Sequence, residues 1–123
     1  MTTAARQRRY CGPRIMPKPP GEWDEDDLLR NVLDLADDFG WLAYHQRPAL
    51  TSKGWRTAIQ GDAGFPDLVL VRAPRVLFVE LKKDDGRTGP FQKKWLTALA
   101  ECSSVEVYGW RPANLDAIGE CLR

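Results

Sequence analysis

Several features that would indicate particular classes of protein are scarce or missing in this chain. Its three cysteines, Cys11, Cys102 and Cys121, are an odd number without the spacing of a metal site. We therefore expect reduced thiols in a cytoplasmic protein. No apolar run approaches the ~20 residues that cross a bilayer. We expect no signal peptide, because the arginine-bearing start has no apolar segment after it. No internal repeat and no phosphate-binding glycine loop is present.

The length and composition of the chain predict a folded globular protein. Its 123 residues suffice for one domain with one core. A hydrophobic content of 43% and five tryptophans argue against disorder. We divide the chain into an arm rich in basic residues, proline and glycine over residues 1–21 and a single domain over residues 22–123.

Charge is distributed unevenly, although the formal net charge is only +1. Residues 1–21 carry five basic side chains and no acid, whereas residues 22–38 carry eight acids and one arginine. From residue 39 onward, twelve basic residues face nine acidic ones. A basic surface permits contact with phosphate. Two interpretations of the arm stay open, a basic tail on a nucleic-acid backbone and a mobile terminus with incidental charge.

Two neighbouring apolar runs, residues 64–71 and 76–83, predict an antiparallel hairpin of buried strands. Three charges lie within it. Asp67 begins the first strand, and Glu80 and Lys82 are near the end of the second. Residues two apart in a strand share a face, and a hairpin brings the start of one strand beside the end of the other. The sequence therefore predicts that two carboxylates and a lysine meet at one end of a sheet.

The charge cluster has two interpretations. Buried charges are costly unless they are paired or bind a metal. In the simpler interpretation, Lys82 therefore neutralises two acids that have a structural role only. In the other, the carboxylates and the lysine form a Mg²⁺ site for phosphate chemistry. Gly64 and Pro66, which shape the backbone just before Asp67, favour the second interpretation.

At these residues the chain resembles a known family. Pro66-Asp67 followed by Glu80-Leu81-Lys82 is similar to the PD-(D/E)xK nuclease signature. The flanking residues 64–68 and 89–92 resemble the VRR-NUC branch, whose small stand-alone members are common in phages and prophages. The resemblance spans roughly residues 25–118. It implies an α/β fold, αβββαβ(α), with a mixed central sheet flanked by helices.

The resemblance also implies an activity. The implied activity is that of a DNA endonuclease that depends on Mg²⁺ or Mn²⁺. Its substrate would be branched DNA such as a Holliday junction, and symmetric cutting would require a homodimer. Asp67 and Glu80 would bind the metal with the Leu81 carbonyl, and Lys82 would act on the attacking water. The family adds Gln92 near the site, and one acid of the first helix, Glu25 or Asp27, as a further ligand. A non-catalytic nucleic-acid-binding module and an interaction protein with an acidic docking helix are the alternatives.

The remaining elements follow from periodicity. Apolar residues after Asp24 predict a helix that ends at Gly40, and residues 41–46 predict the first strand. Residues 47–63 lack a clear period and are expected to be a long connection. Pro90 opens a helix with an apolar stripe that includes Phe91, residues 105–110 predict a strand, and Pro112 opens the last helix.

Several basic residues and one histidine are candidate DNA contacts. His45 would lie where the first strand borders the cleft, although such a residue more often bonds to a neighbour in the sheet. The basic residues of the connection flank an aromatic residue, Trp55, a combination suited to backbone contact and base stacking. The alternative for all of them is a solvated surface. The candidates are His45, Arg47, Lys53, Arg56, Lys83, Lys93 and Lys94.

Overall fold

The computed structural model describes residues 18–123. It contains three α-helices and six strands, with short 3-10 turns at Pro20–Glu22 and Pro112–Asn114. In chain order they are α1 (Glu25–Asp38), β1 (Leu42–His45), β2 (Ala49–Thr51), β3 (Gly54–Arg56), β4 (Leu68–Arg72), β5 (Arg75–Leu81), α2 (Pro90–Ala100), β6 (Glu106–Trp110) and α3 (Leu115–Leu122).

Four of the strands form a mixed sheet in the order β1-β4-β5-β6. The first three run antiparallel to their neighbours, and β6 is parallel to β5. This parallel pair is connected through α2, as parallel strands require a crossover. The α/β fold with a mixed central sheet and flanking helices is confirmed.

One face of the sheet carries the core. Leu68 and Leu70 of β4 lie opposite Val79 and Leu77 of β5, and all four side chains are fully buried. Helices α1 and α3 complete this core with the buried side chains Leu28, Val32, Ala36, Ile118 and Leu122. Because strand residues alternate between faces, Val69, Phe78 and Glu80 point to the other face. We call this second surface the α2 face.

Helix α1 begins as its sequence predicts. Asp24 is the N-cap: its Oδ1 accepts from the N–H of Asp27 at 2.8 Å, and Asp27 Oδ2 accepts from the N–H of Asp24 at 3.2 Å. This reciprocal arrangement satisfies amides that have no partner within the helix. Gly40, with φ of 84°, follows the helix and turns the chain into β1.

The connection between β1 and β4 differs from the expectation of a long segment without regular structure. Strands β2 and β3 form a separate antiparallel hairpin, in which Leu50 lies opposite Trp55. Both side chains are largely exposed. Short strands with no buried face give no alternating pattern, which is why periodicity did not detect them.

Two smaller expectations also change. Phe91 does not belong to an apolar stripe facing the core, since it is 65% exposed, and α2 contains no fully buried residue. Most of the proposed arm, residues 1–17, lies outside the described residues. Its end is tied to α1, because Lys18 Nζ lies 3.0 Å from Asp27 Oδ2. No helix within residues 18–123 is long and apolar enough to cross a membrane.

Candidate active site

The pairing of β4 with β5 places Asp67 beside Glu80. Leu68 lies opposite Val79, so the preceding Asp67 comes next to Glu80 on the α2 face. Asp67 Oδ2 accepts a hydrogen bond from the N–H of Leu81 at 2.7 Å. This bond fixes the carboxylate at the end of β5.

The loop before Asp67 needs its glycine. Gly64 has φ of 94°, and a Cβ at this position would lie 2.5 Å from the carbonyl carbon of Phe91. Phe65, the next residue, packs edge to face against Phe78 and Trp95, with ring centroids 6.0 and 5.1 Å away. The entry to β4 is therefore held against α2, which orients Asp67.

Glu80 is a buried acid with an incomplete set of partners. It is 2% exposed, and its Oε1 accepts from Gln92 Nε2 at 2.8 Å and lies 3.8 Å from Lys82 Nζ. Among residues 18–123, Glu80 Oε2 has no hydrogen-bond partner. A buried oxygen without a donor is costly, so its presence points to a ligand or a function.

The surroundings of Glu80 change its acidity. Burial is the largest cause that raises the pKa of Glu80, to about 8; the neighbouring carboxyl group of Asp67 adds to this rise, and the positive charge of Lys82 only partly opposes it. With a pKa of about 8, Glu80 is mostly protonated at neutral pH in the absence of a cation. Strongly raised carboxyl pKa values cluster at functional sites.

Lys82 follows the last residue of β5 and is held by its main chain. Its N–H donates to the carbonyl oxygen of Trp110 on β6 at 3.0 Å, which prolongs the parallel pairing past the strand. Its ammonium group is mostly buried beside Glu80. One lysine beside two carboxylates leaves the site negatively charged when both acids are ionised, so the site attracts a cation.

Gln92 contributes to the site and to the fold at once. Its Oε1 accepts from the N–H of Gly89 at 2.9 Å, which caps α2, while its Nε2 donates to Glu80. The sequence alone made Gln92 a surface residue, and only the resemblance placed it near the site. The sequence did contain a local signal for the cap. Gly89-Pro90 is a typical helix start, and the third residue after Gly89 is Gln92, whose amide can bond back to the cap.

The two acids of the first helix differ. The carboxylate of Asp27 is buried, paired with Lys18 and engaged in the helix cap, and these bonds lower its pKa. Glu25 is exposed, and its negative charge adds to the rise in the pKa of Glu80. Glu25 is therefore the one of the two with a carboxylate acting on the site.

The candidate DNA contacts are spread over the molecule. His45 lies opposite Leu68 in the sheet, so it is on the core face and not on the face of Asp67 and Glu80. Lys83 is exposed and pairs with Asp85 at 3.5 Å. The other basic candidates are exposed, on the β1–β3 region or on α2: Arg47, Lys53, Arg56, Lys93 and Lys94.

The donor set suits a hard divalent cation only in part. Carboxylate oxygens are the ligands that Mg²⁺ prefers, and Glu80 Oε2 accepts no hydrogen bond from the described part of the chain. Within residues 18–123, no group of three or more histidine, cysteine, aspartate and glutamate side chains is arranged to bind a metal. The residues present offer two carboxylates, so water and DNA oxygens would complete the coordination of a bound ion.

A mixed sheet that brings together an aspartate after a proline, a buried glutamate and a lysine two residues later has the arrangement of the PD-(D/E)xK type of nuclease. The family model described as the VRR-NUC domain matches residues 9–111, most of the chain. The chain belongs to the VRR-NUC family. Comparison with curated proteins and with solved structures gives no match.

Proposed function

We propose that this protein is an endodeoxyribonuclease that hydrolyses phosphodiester bonds with Mg²⁺ or Mn²⁺ at the Asp67–Glu80 pair. The observation that carries the proposal is Glu80 itself, a buried acid with one oxygen that has no partner among residues 18–123, beside a second carboxylate and a lysine. A structural salt bridge would satisfy both oxygens. A buried glutamate oxygen without a donor, beside a second carboxylate, instead suits a cation that arrives with the substrate.

Each side chain has a role that follows from its position. Asp67 and Glu80 would hold the ion, together with the main-chain carbonyl of Leu81, and Gln92 keeps Glu80 oriented through its 2.8 Å bond. The bound ion would supply Lewis-acid stabilisation of the charge on the phosphate. Lys82 positions the attacking water and offsets negative charge in the transition state. Glu25 would approach the same ion from α1.

Cleavage of labelled junction, flap and linear DNA, with and without Mg²⁺, tests this function. Lys82→Ala is expected to lower the rate at least ~100-fold, as loss of a charge-stabilising donor does in other enzymes. Arg87→Ala, which removes one positive charge from the link between β5 and α2, is the matched control. DNA that is retarded in a gel but never shortened would instead indicate the non-catalytic binding module.

The preferred substrate we propose is branched DNA, such as a Holliday junction, bound by a homodimer. Symmetric cutting needs two sites related by a two-fold axis. The exposed apolar side chains Leu50 and Trp55 supply surface for a subunit contact. Light scattering of the protein with and without junction DNA tests the dimer, and a monomer in both states would contradict it.

The exposed basic residues would contact the DNA backbone. Arg47, Lys53 and Arg56 lie on or beside the β2–β3 hairpin, and Lys93 and Lys94 lie on α2. Lys83 would join them beyond β5, whereas His45, which lies on the core face, is not among the proposed contacts. Since each neutralised phosphate releases counterions, replacing one of these lysines by alanine is expected to reduce the salt dependence of binding without changing sequence preference.

A further inference from the structure

A cleft of about 240 Å³ lies between the end of β1 and the loop that leads into β4. It ends at Asp67, so it is continuous with the proposed cleavage site. Its main lining side chains are Tyr44, Gln46, Thr57, Ile59, Phe65 and Asp67. Sites for drug-sized ligands measure about 300–1,000 Å³. This cleft therefore suits a single small planar group.

The chemistry of the walls excludes a phosphate as the occupant. Asp67 is the only charged lining residue, and it is an acid. The other lining side chains include two aromatic rings, those of Tyr44 and Phe65, the aliphatic Ile59, and the polar Gln46 and Thr57. Aromatic faces with a few polar groups at the edge are what proteins use to stack and orient a nucleobase.

The cleft is preformed on one side and accessible on the other. Phe65 is fixed by its edge-to-face contacts with Phe78 and Trp95. Gln46 Nε2 donates to the carbonyl oxygen of Ala58 at 3.1 Å, which holds the segment that carries Thr57 and Ile59. Tyr44 is 59% exposed, so its ring is available for stacking. A preformed wall lowers the entropic cost of binding.

We propose that this cleft binds one unpaired nucleobase of the DNA substrate, next to the phosphate that an ion at the Asp67–Glu80 pair would contact. The inference rests on the proposed nuclease function and adds to it the feature of the substrate that is recognised. A base in a duplex has both faces covered by its neighbours, whereas a branch point supplies bases that leave the stack at low cost. Occupation of the cleft would place the attached phosphate beside Asp67, which couples branch recognition to cleavage.

Binding without catalysis tests the cleft separately from the nuclease. Junction DNA carrying 2-aminopurine, placed in turn at each nucleotide around the branch, is titrated with protein in the presence of EDTA. Wild-type protein should change the fluorescence at one position by stacking, and an abasic nucleotide there should weaken binding about tenfold. Tyr44→Ala should cause a similar loss on intact DNA and no further loss on the abasic DNA, whereas Tyr44→Phe should retain wild-type affinity.

Leu42→Ala is the matched control, because Leu42 lies on the same strand and face, is 64% exposed, and does not line the cleft. It should leave the 2-aminopurine signal unchanged. Equal losses in Leu42→Ala and Tyr44→Ala, accompanied by dissociation of a dimer, would overturn the proposal and make this surface a subunit contact. Failure to bind any branched DNA would overturn it as well.

Cleavage separates the two hypotheses. If wild-type protein with Mg²⁺ cuts intact and abasic junctions at equal rates, the nuclease stands and the base-binding cleft is wrong. If base-dependent binding is observed but no DNA is cut, the cleft stands and the nuclease is wrong.

Discussion

Glu80 and Glu106 are glutamates on the adjacent parallel strands β5 and β6, and their surroundings have opposite effects. Glu106 receives two hydrogen bonds from Arg75, both at 2.8 Å, and one from the hydroxyl of Tyr108 at 2.6 Å. These bonds lower the pKa of Glu106 to about 2. Glu80, near the C-terminal end of β5, has one oxygen without a partner in the part of the chain that the structure describes, and its pKa is raised to about 8.

The difference separates an acid that stabilises the fold from one that costs stability. Arg75 also donates to the carbonyl oxygen of Cys121 at 2.9 Å, and its guanidinium lies 5.0 Å from the ring centre of Trp41. The Glu106 cluster thus attaches α3 to the sheet. Glu80, in contrast, is a buried acid whose hydrogen bonds and opposite charges only partly offset the cost of burial. Such an arrangement is typical of functional sites.

The largest effect that distinguishes the two acids concerns cleavage. Asp67→Ala and Glu80→Ala are expected to lower the rate of DNA cleavage at least ~100-fold, because each removes a proposed metal ligand. Glu106→Gln should cut at the wild-type rate at a temperature where it is folded. Rates under single-turnover conditions, with circular dichroism to verify folding, check this. An active Asp67→Ala variant would contradict the assignment.

The second prediction concerns the pH dependence of stability at Glu80. Its folded pKa is raised above the ordinary 4.5, so the protonated form is favoured in the folded state. Stability is then lost as pH rises from about 4.5 to about 8. Without divalent ions, Glu80→Gln should be about 1–3 kcal/mol more stable than wild type at pH 9 and equal to it near pH 4. Urea unfolding at both pH values measures this difference.

The third prediction is the reverse for Glu106. Its folded pKa of about 2 lies below 4.5, so its stabilisation is present above 4.5 and is lost as pH falls toward 2. Because both partners are about a third exposed, Glu106→Gln should cost only about 1 kcal/mol at pH 7. The same urea experiment should show the two proteins converging near pH 2. A constant difference at all pH values would show that packing, not charge, is responsible.

The smallest effect is expected at Gln92. Gln92→Ala removes the only side-chain donor to Glu80 Oε1 besides Lys82 within the described chain, and it also removes the cap on Gly89. We expect about a tenfold loss of cleavage rate and about 1 kcal/mol of stability. Gln92→Glu keeps the cap acceptor but places a third carboxylate against Glu80, so it should recover neither the stability nor the rate.

Sequence rules correctly predicted the features that depend on residues close to one another in the chain. The strand lengths on either side of Pro74 were enough to place Asp67 next to Glu80, and Asp24 was recognisable as a cap from the acids that follow it. The contact between Gln92 and Glu80 depends on how α2 crosses the sheet, which no spacing in the sequence specifies. Periodicity could not detect β2 and β3, because neither strand has a buried face.

The same limit applies to the exposure of Phe91 and to the pairing of Arg75 with Glu106. Helix α2 covers its sheet face only partly, so an apolar side chain at helical spacing remained in solvent. Arg75 and Glu106 are 31 residues apart and meet through the parallel register of β5 and β6. The resemblance to the family implied the order of the strands along the chain. The contacts that complete the two sites, Gln92 with Glu80 and Arg75 with Glu106, depend on tertiary packing.

Calorimetric titration of Mn²⁺ into metal-free protein at pH 7 tests most directly whether Asp67 and Glu80 share a cation. Because Glu80 with a pKa of about 8 is mostly protonated at that pH, binding should be saturable and should release about one proton, detected as a dependence of the heat on the buffer. Glu80→Gln should abolish both, while Glu106→Gln should retain them. Equal Mn²⁺ binding by wild type and Glu80→Gln, without proton release, would contradict the account.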